Sequence, residues 1–81
     1  MDPETPMTAQ GLADLEAELE RLKTVDRPRI VEEIRVARGF GDLSENAEYH
    51  EAKRAQGHLE TRILRLTQQL RGAVVLDLPT D

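Results

Sequence analysis

The sequence predicts an all-α protein: one antiparallel helical hairpin, an intramolecular coiled coil, with a kink near Pro28 and a short extended C-terminal exit. Three observations carry this expectation. Apolar residues recur at spacings of three and four along two long segments, the signature of a helical seam. Gly39 and Gly41 interrupt that pattern midway. The two stripes then match each other when the chain is folded back at the interruption. Size agrees, because 81 residues with one Phe and one Tyr cannot build a thick globular core.

The elements come in order along the chain. Residues 1–6, Met-Asp-Pro-Glu-Thr-Pro, differ in character from the remaining residues and read as a disordered lead or cloning remnant ahead of a second methionine, Met7. A coiled-coil domain is expected over residues 7–78. Thr8 is suited to cap a helix that starts near Ala9. Leu12, Leu15, Leu19 and Leu22 then form a seam flanked by charged residues. The stripe stumbles at Thr24-Val25-Asp26-Arg27-Pro28. Proline lacks a backbone donor but is tolerated in the first turn of a helix, and Asp26 is suited to cap such a restart. A kink or short loop is therefore expected over residues 24–27, after which Ile30, Ile34 and Ala37 resume the stripe.

Gly39 and Gly41 end the first arm. The second arm carries Tyr49, Ala52, Gln56, Leu59, Ile63, Leu66, Leu70 and Ala73, again at threes and fours. Gly72 closes it, and Ala73-Val74-Val75-Leu76-Asp77-Leu78 reads as a short strand or extended exit. In an antiparallel hairpin the residue numbers of facing pairs share a constant total. Leu12 with Ala73, Leu15 with Leu70, Leu19 with Leu66 and Leu22 with Ile63 obey one total. Ile30 with Gln56 and Ile34 with Ala52 obey another, larger by one, and the slip falls across Pro28. At about 1.5 Å per residue over about 30 residues, each arm spans roughly 45 Å. Leucine pairs fill the base and smaller residues lie near the turn, so the seam is expected to weaken toward the tip. Gly57, inside the second helix, costs about 1 kcal/mol against alanine and suggests close approach of the opposite arm.

Composition excludes several function classes. There is no cysteine, hence no disulfide or thiolate metal site. A formal net charge of −5 argues against an autonomous nucleic-acid binder, though not against local contact through a few placed cations. No apolar run approaches the ~18 residues of a membrane span, and no secretory signal opens the chain, so no membrane association and a cytoplasmic location are expected. No phosphate-binding glycine loop, Ser-His-Asp set or zinc spacing is present; His50 and His58 share no ligand spacing.

The distinctive segment is Gly41-Asp42-Leu43-Ser44-Glu45-Asn46-Ala47-Glu48, at the turn. Asp42 and Glu45, three apart, fit a capping box with Asp42 at the cap and Glu45 at the third helical position, both suited to the helix dipole. They also fit half of a Mg²⁺ site, since Mg²⁺ is commonly held by one or two carboxylates with the remaining ligands supplied by waters and phosphates. The two uses are compatible. Arg35, Arg38, Lys53 and Arg54 form a basic collar below the tip, explained either by helix salt pairs or by contact with phosphate. Tyr49 falls on the seam, Phe40 is expected to be exposed, and Asn46 either caps the turn or orients Glu45.

The run from Gly41 to His50 resembles the tip signature of the bacterial Gre transcript-cleavage factors, closest to the GreA branch. Met7-Thr8, Gly11, Leu15, Glu18-Leu19, Leu22, Arg27-Pro28, Ile30 and the exit Gly72-Ala73-Val74-Val75 are similar as well. The resemblance implies a transcription elongation factor, not itself an enzyme, whose coiled coil enters the secondary channel of bacterial RNA polymerase. There it would stimulate the polymerase's intrinsic hydrolysis of backtracked RNA. Asp42 and Glu45 match the catalytic acids that assist the second Mg²⁺, shared with the polymerase and not held tightly by the chain alone. Arg38 and Lys53 match the positions that approach the nascent RNA 3′ end, while Ser44, Asn46 and Tyr49 support the tip. Lysine at 53 stands where arginine is common and loses bidentate phosphate geometry. Family members carry a C-terminal globular domain, so the chain resembles the N-terminal domain alone. Two other classes compete: a channel-binding regulator without cleavage activity, and a structural coiled coil.

Overall fold

In the computed structural model, which describes residues 4–76, the chain forms a helical hairpin with extents of 60 × 24 × 17 Å. A short strand β1 (Thr5–Met7) leads into helix α1 (Ala9–Arg21), a π-helical turn (Leu22–Asp26) and helix α2 (Arg27–Arg38). A 3₁₀ turn (Leu43–Glu45) at the tip precedes helix α3 (Ala47–Arg71) and strand β2 (Ala73–Val75). Thr8 caps α1 as expected, its Oγ1 accepting the Gly11 N–H at 3.0 Å. Gly72 closes α3, its N–H donating to the Gln68 carbonyl at 3.3 Å.

Of the kink or short loop expected over residues 24–27, the loop is absent and a local change of helical winding stands in its place. The first arm runs as one helix through the π turn, in which the Arg27 N–H donates to the carbonyl of Leu22, five residues back. Asp26 is not a cap: it has helical φ −72° and ψ −42°, accepts no capping bond, and instead pairs with Arg29 at 3.4 Å. The physical reason is Pro28. In a regular helix its ring would strike the carbonyl four residues earlier, and the wider π turn gives it room without ending the helix. A π turn holds one residue more than an α turn. That extra residue accounts for the one-residue slip between the two sets of seam pairs.

The seam is real, but its burial is distributed differently from the expectation. Ile30, Ile34, Ala37, Ala52, Leu59, Ile63 and Leu66 are buried, and Leu66 is fully so. No residue of α1 is buried; Leu12, Leu15, Leu19 and Leu22 are half-buried. The enclosed part therefore includes the tip-ward half, contrary to a seam that weakens steadily from the base. Register is pinned on the flanks by two forked ion pairs between the arms. Arg27 meets Glu60 at 2.7 and 2.9 Å, and Arg62 meets Glu18 at 2.9 and 3.0 Å.

At the base, β1 and β2 pair in parallel, with Thr5 opposite Ala73, Pro6 opposite Val74 and Met7 opposite Val75. Thr5 and Pro6, assigned to the lead by sequence, thus stand in a strand; the lead's residues 1–3 lie outside the described residues. The extended exit is present as β2, and its expected end at residues 77–78 lies outside them too. Pro6 is acceptable there because a two-stranded ribbon leaves donors unpaired at its edges. Gly57 is a further correction. A Cβ built on it meets nothing within 4 Å, so this glycine faces open space and accommodates no close approach. Among the described residues no helix is long and apolar enough to cross a membrane.

Candidate functional site

The site is the tip. Helix α2 ends at Gly39, whose N–H donates to the Val36 carbonyl at 3.0 Å; the Phe40 N–H reaches Ala37 O at 3.1 Å. Gly41 then takes φ +114°, a conformation that side-chain-bearing residues rarely adopt, and so reverses the chain. Asp42 caps the adjoining 3₁₀ turn. Its Oδ1 accepts both the Ser44 N–H and the Ser44 hydroxyl, each at 2.9 Å. These two donors, the backbone one foremost, hold the Asp42 carboxyl below its ordinary value, so the group is ionised at neutral pH.

The long helix α3 is not capped by Asp42, and the expected capping box does not form. Its cap is Asn46, whose Oδ1 accepts the Tyr49 N–H at 2.9 Å. The other end of the same amide donates to the Ala37 carbonyl at 2.6 Å. One side chain thus ties the start of α3 to the end of α2. A carboxylate could accept the first bond but could not donate the second. Glu45, displaced to the last position of the 3₁₀ turn, has no hydrogen-bond or ion-pair partner among the described residues. Its carboxylate is exposed.

Asp42 and Glu45 line one shallow, open depression together with Phe40, Asn46, Ala47 and Glu48. The tip therefore presents carboxylates with spare acceptor capacity on a common surface. No cluster of three or more His, Cys, Asp or Glu side chains capable of holding a metal exists among the described residues. Oxygen donors of this kind fit Mg²⁺, and their small number fits a metal whose other ligands come from elsewhere. Glu48, which the motif contained but sequence reasoning did not single out, joins the same lining. Its spacing of three from Glu45 was the available signal.

The basic collar divides in two. Arg35 grips Glu32 through two bonds of 2.6 and 2.9 Å, and Arg54 pairs with Glu51 at 3.0 Å, so both serve as helix salt pairs. Arg38 and Lys53 make no ion pair among the described residues. Arg38 lies over the Tyr49 ring at 6.0 Å, and Lys53 Nζ donates to Gln56 at 3.0 Å. These are the two of the four collar cations that the family resemblance singled out. They do not line the depression that holds the acids. Tyr49 is half-buried against the core, as its seam position implies, and meets His50 edge to face with centroids 5.6 Å apart. Phe40 is 64% exposed, in line with expectation.

Comparison with known proteins gives consistent matches. The model of the GreA/GreB N-terminal family, described as transcription elongation factor, N-terminal, matches residues 5–75. A transcription elongation factor GreA of Macrococcus caseolyticus is 54% identical over 77 residues, covering 95% of this chain and 49% of that protein. The corresponding factor of Staphylococcus aureus is 56% identical over 72 residues, covering 89% of this chain and 46% of its own length. The chain thus spans about half the length of the curated relatives it matches.

Proposed function

Since the chain belongs to the GreA/GreB transcription elongation factor family, we propose that it carries Asp42 and Glu45 through the secondary channel of bacterial RNA polymerase to stimulate cleavage of backtracked RNA. The reaction belongs to the polymerase. The observation that supports this reading best is the division of labour at the tip. Asn46 and Gly41 hold the turn, so Glu45 and the second oxygen of Asp42 remain available to an outside group.

A polymerase-bound Mg²⁺ would supply a polarised water for in-line attack on the phosphodiester. The chain's own part is to deliver two oxygen ligands on a narrow shaft. Ser44 keeps Asp42 ionised and oriented, and the positive φ of Gly41 sets the direction in which the turn points. Arg38 and Lys53, unengaged by carboxylates among the described residues, are placed to meet the RNA 3′ end electrostatically. The family name of the relatives supports a polymerase partner, and the shape of the hairpin suits a narrow passage.

The test is cleavage of RNA in a backtracked polymerase complex. Asp42→Ala and Glu45→Ala are each expected to reduce stimulation to the polymerase's intrinsic rate while circular dichroism stays unchanged. Full stimulation by both variants would remove the metal role. Nucleotide addition blocked with no shortened RNA would point instead to occlusion of the channel.

A further inference from the structure

Behind the tip, between α2 and α3, lies an open groove with an apolar floor. Val36, Ala37, Ala52 and Ala55 form the floor and Phe40 closes the tip-ward end. Val36 is 45% exposed and Phe40 64%, a concentration of apolar surface that the fold itself does not cover. The rim is acidic. Glu32, Glu33, Glu48 and Glu51 border the groove against a single cation, Arg29. Glu32 and Glu51 are engaged by Arg35 and Arg54, and Arg29 lies between Asp26 at 3.4 Å and Glu33 at 4.0 Å. Glu48 has no ion-pair partner among the described residues, and the 4.0 Å pair leaves Glu33 only loosely engaged.

We propose that this groove docks an apolar segment flanked by lysine or arginine on the RNA polymerase, a contact separate from the tip carboxylates. The proposal rests on the polymerase reading of the tip and deepens it. Charge decides the occupant. A second copy of the chain would set one glutamate rim against another, on molecules each carrying a net charge of −5. Like charges brought face to face across an interface are costly, whereas a cationic flank meets the rim favourably. An apolar segment laid between two helices uses a common recognition mode, in which side chains fill the groove and rim charges set orientation. The contact would hold the shaft laterally while the tip acids reach their metal. Side-on grip and end-on chemistry then meet only at Phe40 and Glu48, which line both surfaces, while the acids Asp42 and Glu45 stay outside the groove.

The test places a photo-crosslinking side chain at one of three positions: Val36 in the groove, Leu43 at the tip, and Val31, which is 52% exposed on α2 but does not line the groove. Each protein is irradiated with a backtracked polymerase complex. Val36 and Leu43 are expected to crosslink to the polymerase and Val31 to stay at background. The peptide captured by Val36 is expected to carry apolar residues flanked by Lys or Arg. Crosslinking from Leu43 with none from Val36 overturns this inference and leaves the polymerase reading intact. Failure at Leu43 as well overturns both. A Val36 crosslink to a second copy of the chain, or to an acidic polymerase segment, also overturns it. As a second measurement, Glu33→Lys with Glu51→Lys is expected to raise the half-saturating concentration for cleavage roughly tenfold at an unchanged plateau. A lowered plateau with the same half-saturation would count against a docking role.

Discussion

The shaft and the tip of this hairpin are shaped by different forces. The shaft buries seven apolar side chains among the described residues, from Ile30 to Ala37 on one arm and Ala52 to Leu66 on the other. Between Ala37 and Ala52 nothing is buried, and the chain is organised by a positive-φ glycine and a few side-chain hydrogen bonds. Burial contributes stability in proportion to the area removed from water, whereas a single hydrogen bond contributes only about 0.5–1.5 kcal/mol net. Shape at the tip is therefore obtained with little bearing on stability. The carboxylates can be altered without dismantling their support, and the support can be weakened without touching the carboxylates.

The largest expected effect tests the shaft. Leu66→Ala removes the one fully buried side chain among the described residues and is expected to cost about 2–5 kcal/mol, enough to unfold much of a hairpin this thin. Thermal unfolding measured by circular dichroism reads it; a loss well under 1 kcal/mol would break the contrast between shaft and tip. Next comes the joint between the two regions. Asn46→Ala is expected to cost about 1 kcal/mol through loss of the α3 cap. It also frees the Ala37 carbonyl, so amide exchange should accelerate at Tyr49 and around Gly39 while the Leu59–Leu66 stretch stays protected.

Gly57→Ala acts in the opposite direction, with a gain of about 0.5–1 kcal/mol, because the site is helical and open. A loss of stability there would mean that the position is more crowded than its surroundings indicate. The smallest effect belongs to Ser44→Ala, read by carboxyl NMR titration. Asp42 titrates below its ordinary 3.8 because Ser44 donates to it, so its contribution to the turn is present above 3.8 and lost as pH falls through the lowered folded value. Removing the hydroxyl should raise the Asp42 value only in part, since the backbone N–H, the larger cause, remains. The cross-arm clamps share this sign. Arg27 and Arg62 hold Glu60 and Glu18 below the ordinary 4.5, so their contribution also disappears in acid.

The features legible in the chain were those that depend on nearby residues. The seam, the Thr8 cap and the Gly72 stop are set within one or two helical turns, and periodicity exposes them. The stripe pairing even registered the extra residue near Pro28. It could not say whether that residue sat in a loop or a π turn, because both absorb one residue and both admit proline. The tip cap went to Asn46 over Asp42 for a reason invisible to local spacing. The deciding partner is the Ala37 carbonyl on the other arm, to which an amide can donate while accepting from Tyr49 and an ionised carboxylate cannot. Strand β1 was missed similarly, since its partner Ala73–Val75 lies at the opposite end of the chain. The acids themselves were legible, but their freedom from capping the long helix was not.

The π turn also bears on how this arm can change length over descent. Between residues 22 and 26 the helix already holds a spare residue. A single-codon deletion in that window would tighten the turn to ordinary winding and leave every position tip-ward of it facing as before. Pro28 would then be the residue without room, its ring returned to the carbonyl behind it. The spare residue and the proline are thus a matched pair, and lineages should gain or lose them together.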